Sequence, residues 1–232
     1  MTYKLKKAFT MIELVFVIAV IGILSSFMLP SLTSMIPGMS SEGKLREAAV
    51  QVMSHIRYTQ HLAMIDNRFD KENEVWFKER WQIRFYENVN SELEWAYTIF
   101  SDRTNQDLEP NFNEIARNPI NTNEYMTGGY PGNVIDVNNS RRTEKMKLNN
   151  NYGVQDIDFS NSCTSFNSRK IIFDNFGRPY WRYDDDDTDY DVNLLYTACQ
   201  IDICSVPDCT IANANDIVSI VIEPMTGYTH FQ

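Results

Sequence analysis

The sequence predicts an α+β protein in which a long N-terminal helix, membrane-spanning in its first half and amphipathic in its second, packs on an antiparallel β-sheet domain. Three observations predict it. Phe9 to Leu29 is a 21-residue run whose only charge is Glu13. Glu42 to about Asp66 places apolar residues (Leu45, Ala49, Val52, Ile56, Ala63) at spacings of three and four, the period of a helix with one face on a core. After Asn67 the apolar period shortens to two in several brief stretches, as in half-buried strands.

The apolar run decides the topology. About 20 apolar residues at 1.5 Å each cross a hydrocarbon core about 30 Å thick. A cleavable secretory signal would have a shorter apolar region, roughly 7 to 15 residues, followed by a small-x-small site, and Ser25, Ser26 and Pro30 make no such site. Lys4, Lys6 and Lys7 precede the run without an acid among them, which orients the N-terminus to the cytoplasm and the rest of the chain to the periplasm. Glu13 is the anomaly. A carboxylate in a membrane helix costs about 2.5 to 3.5 kcal/mol at the bilayer centre, less near the edge, and an intramembrane acid marks a functional site by default.

The run Lys6-Lys7-Ala8-Phe9-Thr10-Met11-Ile12-Glu13-Leu14 resembles the cleavage and methylation motif of type IV prepilins and type II secretion pseudopilins. Gly22 and Pro30 fall where many members of that family have a helix Gly and a kinking Pro, and Ala8 stands where Gly is usual. The resemblance implies that residues 1–8 are a cytoplasmic leader removed by a prepilin peptidase between Ala8 and Phe9, that the new amine of Phe9 is methylated, and that residues 9–30 form a transmembrane and filament-core helix. It also implies a role for Glu13 in filament assembly. The physics agrees: the free amine would be a cation close to the depth of Glu13. A neighbour's Glu13 can take it, offsetting the burial of both charges and setting the axial register between subunits.

Pro30, Pro37 and Gly38 break or kink the chain between the two helical patterns, so residues 31–66 read as an amphipathic helix continuing into the head. Residues 67–232 read as a β-sheet globular head in the periplasm. Its expected strands are Trp81 to Phe85, Trp95 to Phe100, Arg169 to Phe173, Asp216 to Ile222 and Tyr228 to Phe231, with a long surface excursion at about 101–151, rich in Asn, Pro and Gly. His55 through Ile65 resembles the helix end of GspH/FimT-type pseudopilins. Ile171 to Pro179, with its F-x-x-x-G-x-P, and Ile217 to Ile222 followed by Pro224-Met225-Thr226-Gly227, resemble strand and turn motifs of the same group. Gly177 and Gly227 suit turns that need positive φ.

Composition bounds the chemistry. The chain carries 21 Lys and Arg against 31 Asp and Glu, a net charge of -10. Phosphate backbones reward Lys and Arg, so nucleic acid is not an expected partner. The last strand and tail, Asp216 to Gln232, hold no Lys or Arg, against a FimT-like mode of DNA uptake. Arg141, Arg142, Lys145 and Lys147 form one local basic cluster. No catalytic constellation emerges: there is no GxSxG, HExxH or phosphate loop, and His55, His61 and His230 read as surface histidines. The chain is not expected to be an enzyme or to need a cofactor. Cys163, Cys199, Cys204 and Cys209 suit two disulfides in an oxidising compartment better than zinc, with three connectivities open. Asp185, Asp187, Asp189 and Asp191 supply alternate hard oxygens for a calcium ion, but without the Gly and Glu of an EF-hand loop; a solvated loop is the default. Asp136-Val137-Asn138-Asn139-Ser140 fits a bacterial N-glycosylation pattern at Asn138.

The reading that gathers these features is a minor pseudopilin. Its partners would be other pilin or pseudopilin subunits, an inner-membrane assembly platform, the prepilin peptidase and the membrane itself, and its system would be type II protein secretion. The alternatives are a minor type IV pilin in pilus assembly or DNA uptake, and a signal-anchored periplasmic binding protein or enzyme. The last leaves Glu13 and the lysines before Phe9 without a purpose.

Overall fold

The computed structural model describes residues 11–22, 41–87, 94–104, 109–129, 139–164, 169–183 and 187–232. It is α+β, a helix followed by antiparallel sheets. Residues 11–22 are helical (α1). The second helix, α2, spans Ser41–Ile65 and buries Leu45, Ala48, Ala49, Val52, Ile56, Thr59 and Ala63 on one stripe. Three alanines on that stripe let the backbone approach the sheets closely. Glu42 in the first turn complements the helix dipole.

Where the sequence suggests one sheet, the described residues of the head form two, each four-stranded and antiparallel. The first holds β1 (Trp81–Tyr86), β2 (Ala96–Ser101), β4 (Lys170–Phe173) and β5 (Pro179–Tyr180) in the order β2-β1-β4-β5. The second holds β3 (Asp156–Phe159), β6 (Cys199–Cys204), β7 (Ile217–Ile222) and β8 (Thr229–Phe231) in the order β3-β6-β7-β8. Helix α2 lies across both, touching β1 and β4 of the first and β6, β7 and β8 of the second. The core is therefore shared: Ile83, Phe85, Ile99, Ile171 and Phe173 from one sheet meet Ile157, Phe159, Ile201, Ile203, Ile220 and Ile222 from the other. The edge-to-face pair Phe85–Phe159, 5.6 Å between centroids, joins them directly.

The five expected strands are present with small shifts in their ends; β3, β5 and β6 are additional. Strand β6 alternates buried and half-buried residues from Cys199 to Asp202. In the sequence its Cys and Asp residues draw attention to chemistry and hide the period of two.

The expected surface excursion at about 101–151 is corrected in part. Residues 114–128 run beside the outer edge of β2. Ala116 donates to Ile99 O at 2.9 Å, Ile99 to Met126 O at 2.9 Å, and Gly128 to Tyr97 O at 3.0 Å. Ile115, Ala116, Tyr125, Met126, Met146 and Leu148 are buried. The segment has little periodicity because isolated bridges, rather than a regular ladder, hold it to β2. It also covers an edge that would otherwise offer unpaired backbone groups. A Cβ on Gly128 would lie 2.6 Å from Met146 O, so this close approach requires glycine. A short helix, α3 (Leu148–Tyr152), follows and packs on α2.

Candidate functional site

Helix α1 is apolar on every side. Met11, Ile12 and Phe16 are 85%, 79% and 72% exposed, and Leu14, Val15, Val17, Ile18, Val20 and Ile21 are exposed as well. Burying a large apolar side chain is worth about 1.5 to 3 kcal/mol. Nine of them left in water would cost on the order of 10 kcal/mol, comparable with the whole stability of an ordinary domain. A helix of this kind needs lipid or other helices around it. Among the described residues, no helix is long and apolar enough to cross a membrane. Residues 11–22 span about 18 Å at 1.5 Å per residue. Glu13 sits on this helix, exposed. Ala8 and Phe9, the expected cleavage and methylation positions, lie outside the described residues, as do Pro30, Pro37 and Gly38.

The head is fastened to α2 at several levels. Near its middle, Gln51 Nε2 donates to Tyr97 Oη at 2.8 Å and to the Lys145 carbonyl at 2.6 Å, and Tyr152 Oη donates to Gln51 Oε1 at 2.7 Å. His55 Nδ1 lies 2.7 Å from the same Tyr97 hydroxyl. Tyr97 is fully buried, and its oxygen already accepts from Gln51. Its proton therefore goes to His55 Nδ1, which keeps the imidazole neutral. Burial lowers the His55 pKa to about 4 and raises that of Tyr97. Lower down α2, Arg57 donates to Thr229 O at 2.5 Å, and Gln60 Nε2 donates to Gly177 O at 2.8 Å and Thr226 O at 2.9 Å. At its C-terminal end, Trp81 Nε1 donates to Asp66 at 2.9 Å.

The histidine expectation is thus corrected for His55, which is largely covered. His61 is exposed, and half-buried His230 lies 2.9 Å from Glu223 Oε1, which raises its pKa. Sequence reasoning missed the Gln51–His55–Tyr97–Tyr152 knot because its members lie up to 101 residues apart and carry no local motif.

The four cysteines form two disulfides, Cys163–Cys199 and Cys204–Cys209. They bracket β6 at its first and last residues. One ties the turn after β3 to the start of β6, and the other closes the loop from β6 towards β7.

Of the calcium candidates, Asp185 lies outside the described residues. Asp191 Oδ1 faces Arg178 Nη2 at 3.6 Å, and Asp189 Oδ1 accepts from the Asp191 amide at 3.1 Å. Among the described residues, no group of three or more His, Cys, Asp or Glu is placed to hold a metal ion. Asn138 also lies outside them.

The basic cluster read from sequence is largely committed within the head. Arg142 pairs with Glu144, Lys147 is 9% exposed and 3.4 Å from Glu94, and Arg141 lies over the rings of Phe112 and Tyr125. Lys145 is exposed.

Residues 3–29 match a family profile described as the prokaryotic N-terminal methylation motif, a signal of the type IV pilin-like prepilins. The matched stretch contains Ala8, Phe9 and Glu13 together with all of α1. Such a motif implies processing by a prepilin peptidase, assembly with other pilins and, typically, membrane anchorage. No curated protein and no solved structure matches the chain.

Proposed function

We propose that the protein is a minor pseudopilin of the GspH/FimT type, a structural subunit that joins a periplasmic pseudopilus through its N-terminal helix and serves type II protein secretion. The observation that carries the proposal is the methylation motif over residues 3–29, which coincides with a helix exposing apolar side chains in every direction. In this reading the peptidase cuts between Ala8 and Phe9, the amine of Phe9 is methylated, and the Phe9 amine of one subunit meets Glu13 of its neighbour. Lipid covers the helix before assembly and other subunits' helices cover it afterwards. The inner membrane holds the helix, and the head lies in the periplasm, where two disulfides are chemically at home. Enzymatic activity forms no part of the proposal. Calcium is left out of it as well, because Asp191 already faces Arg178.

Mass spectrometry of the protein extracted from membranes tests this reading. The mature chain should begin at N-methylated Phe9. An intact Met1, or a cut beyond Ser26, would end it.

A further inference from the structure

One concave surface of this acidic protein is walled by arginines. A cleft of about 350 Å³ is lined by Trp81, Arg103, Phe112, Arg117 and Tyr125, among others. Each guanidinium there lies on an aromatic ring. Arg103 is 5.5 Å from the Trp81 centroid, and Arg117 is 3.9 Å from that of Tyr125. At the rim, Arg141 is 4.5 Å from the Phe112 centroid. Phe112 and Tyr125 pack together at 4.7 Å, so these two rings with Arg117 and Arg141 make one surface, and the Trp81–Arg103 pair lines the same cleft. All three arginines are exposed, and among the described residues none is paired with a carboxylate.

The nearby acids are otherwise engaged. Glu114, 1% exposed, accepts from the amides of Arg103 at 2.8 Å, Thr104 at 2.5 Å and Asn111 at 2.8 Å. Asp66 is taken by Arg68 and the Trp81 indole. Glu79 accepts from Asn73 at 3.0 Å. Burial first, then the charge of Arg68, press against the charge on Arg103, while Asp66, Glu114 and Glu79 only oppose them.

We propose that this cleft binds a compact, multiply charged oxyanion of the phosphate type. Stacking on a ring fixes the plane of each guanidinium and leaves its N–H edge for a ligand. Among the described residues, Arg103 spends only Nε, on Ser101 Oγ at 3.3 Å, and Arg117 only Nη1, on Thr122 O at 3.4 Å. Guanidinium forks suit carboxylate and phosphate alike, but a planar carboxylate is satisfied by one fork. Several cations around one concavity suit an ion with tetrahedral oxygens and more than one charge.

The ligand is compact for two reasons. Trp81 and Tyr125 are buried beneath their arginines and offer no free face to a nucleobase. A long polyanion would also meet the repulsion of a protein with net charge -10. The cleft lies beside the C-terminal end of α2, joined to it through Trp81 and Asp66, at the opposite end from Ser41, where the chain enters the head. The inference is independent of the filament reading.

The test is calorimetric titration of the full-length protein in a non-ionic detergent, in phosphate-free buffer at low salt. Tripolyphosphate should bind one per chain, more weakly as salt rises. R103Q and R117Q should each weaken it about tenfold, as expected for the loss of one charge-assisted contact, while R46Q at the far end of α2 should change it less than twofold. Inorganic phosphate binding as tightly as tripolyphosphate would identify the free ion as the ligand; much weaker binding would identify a polyphosphorylated one, and both support the site. R103K and R117K keep charge and stem over the rings and serve if a glutamine variant fails to fold. They should weaken binding about threefold or more through loss of the planar fork. Absence of tripolyphosphate binding at millimolar concentration would overturn the proposal, as would affinity unchanged in the arginine variants. Tighter binding of an acidic hexapeptide, or of duplex DNA at physiological salt, would overturn it as well.

Discussion

Lowering the pH should loosen the head through a single side chain, His55. In the folded protein its Nδ1 takes the Tyr97 hydroxyl proton at 2.7 Å, while Tyr97 accepts from Gln51. Protonating His55 puts a donor where an acceptor is needed. The hydroxyl proton of fully buried Tyr97 then has no acceptor in the knot, and a charge sits in a covered site. The pKa falls from 6.5 to about 4 on folding, with burial as the cause. Because the folded value is the lower one, the unfolded chain binds more protons between those limits, and stability rises with pH across that window. The contribution is complete above about pH 6.5 and is lost as the pH falls towards 4. At 1.36 kcal/mol per pH unit the loss is bounded near 3 kcal/mol. Glu47, Glu124, Glu144 and Lys145 also face this region. The difference between wild type and H55N isolates the histidine, since Asn keeps an acceptor near the Nδ1 position and does not titrate. Urea unfolding of both proteins at intervals from pH 4 to 8 gives that difference directly. Wild type should lose about 3 kcal/mol more than H55N between pH 7 and 4. Parallel stability curves would refute the reasoning.

Glu13→Ala should remain in the membrane, since its helix becomes more apolar, yet fail to join filaments; normal assembly, seen in sheared or cross-linked filament fractions, would remove Glu13 from the proposed pairing. The double replacement of Cys163 and Cys199 by Ala should cost about 4 kcal/mol and that of Cys204 and Cys209 about 2 kcal/mol, because the loops they close differ, at separations of 36 and 5 residues; urea midpoints in the reverse order would contradict this. Gly227→Ala should destabilise by about 2 kcal/mol or more, since φ is +64° and a Cβ would sit 2.5 Å from Gly177 O; an unchanged thermal midpoint would count against the strain.

What the sequence made legible was local. A run of one polarity, a period of three to four, or a period of two can be read within a dozen residues, and α2, β1, β2, β4 and β7 emerge this way. The two turn glycines were legible for the same reason: Gly177 and Gly227 have φ of +80° and +64°. The rest depends on distance. Strand β6 is completed only by β3 and β7 beside it, and its own residues read as cysteines and acids. The stretch beside β2 owes its burial to Ile99 and Tyr97, which lie outside it. The arginine cleft brings residues 81, 103, 112, 117 and 125 together with Arg141 at its rim, whereas sequence clustering grouped Arg141 with Arg142, Lys145 and Lys147, of which Arg142 and Lys147 are already engaged with acids. Neighbours in sequence share a loop; neighbours in a cleft share only the fold.

In the filament reading, load passes from α1 into α2 and from α2 into the head, and the placement of the α2 contacts bears on how the head withstands it. Burial along α2 is continuous from Leu45 to Ala63, and polar ties recur at Gln51, Arg57, Gln60 and Asp66. They reach the 139–152 region, β8, both glycine turns and β1. A pull along the helix is therefore spread over ties distributed along its length. The head's second sheet meets α2 through β6, β7 and β8, and both ends of β6 are covalently fastened. A disulfide at each end of β6 limits how far that sheet can open even when its hydrogen bonds break. Covalent ties suit the proposed place of the head outside the cytoplasm, where disulfides persist. In the filament reading two tasks are separated: the motif over residues 3–29 carries the chemistry of assembly, and α2 with the two sheets carries the mechanical coupling, dispersed over residues that no motif would reveal.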